Sequence, residues 1–305
     1  MSTGRFRIGL DEAGYGPRLG PLVVGCVVTS GAPRGLAAAL RRPAKALPPI
    51  RDSKKLYSPG HLAPLETAAL AAIACARGTW PRTLSELLLD LPAGMTEHPW
   101  YRPVDERLPL VAEPGAIDAA ASLLRRRLDR VGARVDHALA VPVLEGEFNR
   151  RLARMEHNKA YVELALLEDL LDRFIPAGES GDVMCDKLGG RKMYSDWLAG
   201  LFPFWTIDTV HERQRRSEYL VHQGEMEVTF RFLVEGEDQE AEIALASCLA
   251  KYVREVLMGQ FNRYWGRRRE LKPTAGYWQD AGRWMAEMEG DPEFERLREV
   301  LVRER

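Results

Sequence analysis

The chain has 305 residues, 46% of them hydrophobic, enough to bury a full core as one elaborated domain or two. Its formal net charge of −1 excludes a protein that holds polyanions by bulk charge, although local basic clusters can still form a binding face. The 4 cysteines (Cys26, Cys75, Cys185, Cys248) lie far apart in apolar surroundings and read as reduced thiols, and no apolar run reaches the ~18 residues of a membrane span.

Met1–Arg7 is polar and basic with no apolar stretch behind it, so a cytoplasmic location is expected. Phe6, Ile8 and Leu10 alternate with Arg5, Arg7 and Gly9, the period of a strand. That strand ends in Asp11 and Glu12 and runs into the turn Ala13-Gly14-Tyr15-Gly16-Pro17, which crowds carboxylates, bare amides and a Tyr together. Two acids so placed repel unless a cation lies between them; an exposed strand end before a polar turn is the plainer reading. Pro21–Thr29 reads as a buried strand completing an opening hairpin. Arg51-Asp52-Ser53-Lys54-Lys55-Leu56 then leads to an Ala/Leu-rich helix over His61–Ala76, the lysines being either a solvated patch or a phosphate anchor.

From Gly78 to Gly115 prolines and aromatics mark an insertion, broken by a short helix over Leu84–Leu89. A helix over Ala116–Val131 carries Arg125–Arg127, read as an exposed face. Asp136–Val143 is a predicted strand and Leu144–Phe174 one or two helices. His157 has no second His or Cys at ligand spacing. Gly181–Asp186 repeats the earlier pattern, a short apolar strand ending in a carboxylate before glycines, so neighbouring strands are expected to present acids at one sheet edge.

Phe204–Val210 is a further strand, and Tyr219–Gln223 with Glu225–Val234 forms a hairpin turning at Gly224. A helix is predicted over Gln239–Arg263, with Asp238 as its N-cap and small residues at Ala246 and Ala250 that allow close approach to a sheet. Beyond it Arg263, Arg267, Arg268, Arg269 and Lys272 mix with Tyr264, Trp265, Tyr277 and Trp278, a composition suited to phosphate contact and stacking and equally to an ordinary surface. Trp284–Arg305 is charged and helical.

Asp11-Glu12-Ala13-Gly14-Tyr15-Gly16-Pro17 with Gly20-Pro21-Leu22-Val23-Val24, then Asp52-Ser53-Lys54-Lys55-Leu56, a strand-terminal Asp186, and Ala246-Ser247-Cys248-Leu249-Ala250-Lys251 occur in that order. Together they resemble the type 2 ribonuclease H (ribonuclease HII) family, as a long, divergent member, over about Arg5–Trp284 with interruptions at Gly78–Gly115 and Tyr219–Val234. The resemblance implies an α/β fold of the RNase H-like kind, a mixed sheet flanked by helices with insertions. One catalytic domain over 1–305 is expected, with an insertion at about 78–115 and a helical C-terminal segment at about 264–305.

It further implies a monomeric endonuclease that uses Mg²⁺ or Mn²⁺ to cut the RNA strand of an RNA–DNA hybrid, or a ribonucleotide-containing DNA duplex, leaving 3′-hydroxyl and 5′-phosphate ends. Asp11, Glu12, Asp186 and Glu237 would hold the cations, with Asp238 a close alternative to Glu237 as the fourth ligand, oxygen ligands being what Mg²⁺ requires. Gly14, Tyr15, Gly16, Ser53, Lys54, Lys55 and Tyr277 would contact substrate, the glycines beside the ribose, the lysines on phosphates and Tyr277 stacking. Three departures stand out. Tyr15 replaces the family's Arg or Lys between the glycines, Lys187 replaces Gly after the third acid, and Glu237 replaces the usual fourth Asp. Alternatives are a catalytically silent nucleic-acid-binding relative, or a related nuclease acting on structured DNA.

Overall fold

The computed structural model describes residues 5–304 apart from Arg51, Asp52, Pro59 and Gly190, and of Lys54 only the backbone. β1 (Phe6–Ala13) and β2 (Leu22–Gly31) form the expected antiparallel hairpin, with Arg7 opposite Thr29 and Ala13 opposite Val23. β3 (Ala133–Val143) extends the sheet beyond β2, while β4 (Gly181–Asp186) runs parallel to β1 on its other side. β5 (Thr206–Glu212), β6 (Arg216–Gln223) and β7 (Met226–Leu233) complete a mixed 7-stranded sheet in the order β3-β2-β1-β4-β7-β6-β5.

Helices α1 (Gly35–Leu40), α2 (Ser53–Leu56), α3 (Ala63–Arg77), α4 (Leu84–Leu88) and α5 (Pro114–Val131) precede β3. Two helices, α6 (Glu145–Arg154) and α7 (Lys159–Phe174), separate β3 from β4, and α8 (Ser195–Leu201) precedes β5. α9 (Gly236–Gln239), α10 (Ala241–Gly266), α11 (Trp278–Met288) and α12 (Pro292–Leu301) follow β7. None of these helices is long and apolar enough to cross a membrane among the described residues.

Strand alternation divides the core into two layers. Phe6, Ile8, Leu10, Val24 and Cys26 face Phe148, Val162, Leu166 and Leu170 of α6 and α7. Val23 and Val27 face the opposite layer, built from α3, α5 and α10. α10 lies almost on the sheet, because a Cβ at Gly25 would collide with the Ala246 carbonyl oxygen. The free thiols of Cys26, Cys185 and Cys248 are buried and that of Cys75 half-buried.

Among the anchors of the Gly78–Gly115 insertion, one carboxylate gathers several of its amides. Glu66, fully buried on α3, accepts amide hydrogen bonds from Leu110 at 2.6 Å, Val111 at 2.8 Å and Ala112 at 2.7 Å, and the Tyr252 hydroxyl at 2.9 Å.

Several sequence expectations need correction. The Tyr219–Val234 hairpin turning at Gly224 forms as expected, with Gln223 opposite Met226; although it interrupts the resemblance, it belongs to the central sheet, since β7 pairs with β4 and delivers the chain to Glu237. Arg125–Arg127 is only partly an exposed face. Arg127 is buried and donates to the carbonyls of Ala39 at 3.1 Å and Arg42 at 2.7 Å, and Arg125 donates to Ala74 and Gly78, both at 2.6 Å. Most of the basic–aromatic stretch is also engaged internally, with Trp265 buried, Arg263 paired to Glu106 and Arg268 paired to Glu293.

The predicted helix over Gln239–Arg263 is split. α9 ends at Glu240, whose backbone is extended at φ −115° and ψ 131°, before α10 begins. Asp238 is exposed and lies inside α9, and neither helix start is closed by a side-chain cap. The break follows from competing anchors. Asp186 Oδ1 accepts the Gly236 amide at 2.8 Å, while Arg7 binds Glu240 at 2.8 Å and Glu242 at 2.9 Å.

Candidate active site

Asp11 and Glu12 are consecutive on β1, so alternation sends them to opposite faces of the sheet. Asp11 turns toward α10, beside Ser247; Glu12 turns toward α7, beside Glu163. β4 runs parallel to β1 with Cys185 opposite Leu10, which brings Asp186 level with Asp11. From β7 the chain passes directly into α9, whose Glu237 joins the same cavity.

That cavity has a volume of about 300 Å³ and is lined by Asp11, Glu12, Asp186 and Glu237, by the turn Ala13–Gly16, and by Ser53, Ser247, Lys251, Arg254 and Tyr277. Ser53 Oγ and Ser247 Oγ lie 3.0 Å apart, so α2 is bound to the helix that steadies Asp11. Gly14 has φ of +90°, and a Cβ there would collide with the Arg254 side chain and the Pro21 carbonyl, which restricts the position to glycine.

Three carboxyl groups at this edge, Asp11, Glu12 and Glu163, are raised by burial. Burial raises Asp11 well above the ordinary carboxylate range, and Glu12 and Asp186 raise it further. Burial likewise raises Glu12, reinforced by Glu163 and Asp186. Glu163 is only 1% exposed and is pushed up to about 8 by burial and by the fields of Asp11 and Asp186. Its Oε2 is buried without a hydrogen-bond partner. An all-oxygen set of this kind, costly to ionise together, suits a hard divalent cation. As the side chains stand, no three of His, Cys, Asp or Glu converge into a cation cage among the described residues.

The predicted site residues therefore divide clearly. Asp11, Glu12, Asp186, Glu237, Gly14, Tyr15, Gly16, Ser53 and Tyr277 meet in one cavity. Lys55 is exposed on α2 and is not among the lining residues, and the Lys54 side chain lies outside the described residues. Tyr15 is half-buried, and burial followed by the fields of Glu163 and Glu12 raises its phenol.

Sequence reasoning missed Glu163, Arg254 and Arg303, and left Ser247 and Lys251 without a role. Ser247, Lys251 and Arg254 recur at helical spacing, a face legible in the sequence. Glu163 was legible as a charge set within the apolar stripe Val162, Leu166, Leu167 and Leu170. A second cleft, of about 250 Å³ beside Leu91 and Val143, carries no comparable convergence: its charges are consumed in pairs such as Arg173–Asp90 at 3.3 Å and Arg151–Glu147 at 2.9 Å.

No protein-family profile and no curated protein sequence matches the chain. Its structural neighbours over nearly the full chain are ribonucleases HII and HIII. The chain is similar to the ribonuclease HII of a PCNA:RNase HII complex from Archaeoglobus fulgidus, at 14% identity and TM-score 0.45, over 98% of this chain and 94% of that one. It is similar to ribonuclease H2 from Pyrococcus horikoshii OT3, at 14% identity and TM-score 0.43, over 97% and 92%. It is similar to Bst-RNase HIII in complex with Mn²⁺, at 17% identity and TM-score 0.42, over 98% of this chain but 66% of that one. At identities and TM-scores this low, function has to be read from the residues of the cavity themselves.

Proposed function

We propose that the chain is a divalent-cation-dependent endonuclease that hydrolyses the RNA strand of RNA–DNA hybrids to 3′-hydroxyl and 5′-phosphate ends. The observation that carries this reading is the meeting of Asp11, Glu12, Asp186 and Glu237, from three separate chain segments, beside the Gly14–Gly16 turn in one cavity. The ordered motifs that resemble type 2 ribonuclease H support the same reading.

The donor set fits Mg²⁺ or Mn²⁺ because every candidate ligand is a carboxylate oxygen and Glu163 Oε2 lacks a partner. Held by Asp11, Glu12, Asp186 and Glu237, such cations would supply the Lewis acidity that phosphodiester hydrolysis needs at the attacking water and at the leaving oxygen. Asp11 and Asp186, side by side on β1 and β4, would hold the central position, with Glu12 and Glu237 closing it from either side. The Gly236 amide orients Asp186, and Ser247 lies beside Asp11. The amides of the Gly14–Gly16 turn would face the ribose, whose 2′-hydroxyl separates RNA from DNA. Tyr277, 51% exposed at the cavity mouth, would stack on a base or sugar.

The test is incubation with labelled RNA–DNA hybrid, duplex RNA, duplex DNA and a DNA duplex carrying one ribonucleotide, with and without Mg²⁺ or Mn²⁺. Cation-dependent cutting of the hybrid is expected. Intact hybrid with retained binding would favour the silent relative, and cutting of structured DNA alone would favour the other nuclease reading.

A further inference from the structure

α9 is too short to support itself. Its backbone closes on itself through Glu240 N to Gly236 O at 2.8 Å, whereas an isolated helix needs roughly 12–15 residues to persist in water. It also stands almost outside the core: Gly236 is buried, Glu237 is half-buried, and Asp238 and Gln239 are exposed. Glu235, immediately before it, is a non-glycine residue in the left-handed region at φ +57° and ψ 44°, a conformation that persists only where the surroundings impose it. The link between β7 and α10 is therefore held in shape from outside.

Different residues grip its two ends. In front, Asp186 Oδ1 accepts the Gly236 amide at 2.8 Å, and a Cβ at Gly236 would press on Ile243 and Asp186. Behind, Arg41 Nη2 donates to the carbonyls of Asp238 at 3.0 Å and Gln239 at 3.2 Å, acceptors that a helix leaves open at its C-terminus. Arg7 Nη2 holds Glu240 at 2.8 Å while its Nε holds Glu242 at 2.9 Å, so one guanidinium bridges the break between α9 and α10. Arg7 is anchored in turn across the sheet: Asp182 lies 3.6 Å away and is bound to Arg231 at 2.9 Å. Arg7 also precedes Asp11 on β1 and, by alternation, shares its face, so the strand that presents the first acid tethers the segment that presents the fourth.

These grips converge on one side chain. Ordering two arginines carries an entropic penalty, and Arg41 leaves its Nε buried without a partner. What the bonds define is the backbone on either side of Glu237, the residue of α9 that lines the cavity. We propose that Arg41 and Arg7 are positioning residues of the cation centre: by closing the carbonyl end of α9 and holding Glu240 extended, they fix the backbone origin from which Glu237 reaches a divalent cation. The proposal rests on the nuclease reading for the reaction the cation serves, but not for cation binding itself.

The experiment titrates the full chain with Mn²⁺ by calorimetry, without nucleic acid, for the parent, Arg41→Gln, Arg41→Lys, Glu240→Gln, Glu237→Gln and the double variants that combine Glu237→Gln with Arg41→Gln or Glu240→Gln. Arg41→Gln and Glu240→Gln each cut one grip at a half-buried side chain and leave the Arg7–Glu242 pair in place, and thermal unfolding checks that each variant is folded. Each should weaken Mn²⁺ binding by about tenfold, the lower end of what removing a group that orients a metal ligand does. Arg41→Lys should recover part of that loss, since an ammonium can also donate to both carbonyls. In the Glu237→Gln background neither change should weaken binding further, because effects that act through one residue do not add. With RNA–DNA hybrid, kcat should fall in Arg41→Gln and return as Mn²⁺ is raised, while KM for the hybrid stays near the parent's. Unchanged Mn²⁺ affinity in the folded single variants, or an equal loss with and without Glu237, overturns the positioning role and leaves the nuclease reading intact. If Arg41→Gln fails to fold, Glu240→Gln with and without Glu237→Gln decides alone. A parent that binds Mn²⁺ through Arg41 and Glu237 yet leaves hybrid uncut keeps the positioning role and sinks the nuclease reading. A parent that binds no Mn²⁺ overturns both.

Discussion

The half-buried Glu12 on β1 neighbours the buried Glu163 on α7, and burial raises both carboxyl groups above their ordinary range. Glu163 is raised to about 8 from an ordinary 4.5. A carboxyl group raised on folding favours the folded state while it stays protonated, so its contribution is complete below about pH 4.5 and is lost as pH climbs through about 8. Cation-free protein should therefore melt at progressively lower temperature from pH 6 to pH 8.5. Glu163→Gln, which keeps the shape and cannot ionise, should flatten that dependence. Melting curves in chelator across this range decide the matter, and an equally steep decline in the variant would show that Glu163 is not the group responsible.

Asp186→Asn should abolish cation-dependent hydrolysis and leave the fold intact. The substituted side chain retains an oxygen to accept the Gly236 amide, now at 2.8 Å from Asp186 Oδ1, while losing the charge a cation needs. Asp11→Asn should behave alike, since the amide keeps the size of the buried carboxyl group and loses its charge. Activity within about tenfold of the parent, a barrier change of only ~1.4 kcal/mol, would remove these residues from the cation centre.

The parts of the site legible in the sequence are those built by strand periodicity. Alternation in β1 and the strand-terminal acid of β4 suffice to predict that Asp11 and Asp186 approach one another, because parallel neighbours end at the same edge. Glu163, Arg254 and Arg303 were not legible in this way. Their placement depends on which helix face meets the sheet edge, a relationship set by packing between residues more than a hundred positions apart. The split between α9 and α10 escaped for a related reason: local propensity favours one continuous helix, and only the tertiary bonds of Arg7 and Asp186 oppose it.

Glu66→Ala should destabilise the protein by about 3 kcal/mol or more, because three amides of the insertion and the Tyr252 hydroxyl would lose their acceptor together. Most of the loss should appear as early exposure of the insertion. Proteolysis near Leu110–Ala112 at temperatures where the sheet is still intact would demonstrate it. A small, uniform drop in melting temperature would mean that the insertion is held chiefly by its aromatic contacts.

The last prediction concerns the fourth acid. A capping role would have explained Asp238 without a cation, but Asp238 is exposed within α9 and closes no helix end, so removing it should cost far less than the about 0.5–2 kcal/mol of a lost cap. Glu237, one residue earlier, is half-buried and lines the cavity with Asp186. Its backbone is held by the Asp186–Gly236 hydrogen bond immediately before it, so a longer Glu side chain can reach the same cation position from a fixed origin. Glu237→Gln should therefore lower cation-dependent turnover strongly and weaken divalent-cation binding by calorimetry, with melting temperature nearly unchanged. Asp238→Ala should leave turnover, cation affinity and stability close to the parent. Should Asp238→Ala be inactive and Glu237→Gln near normal, the acid facing the cation is Asp238, and α9 must rotate by about a quarter-turn (~100° per residue) when the cation binds.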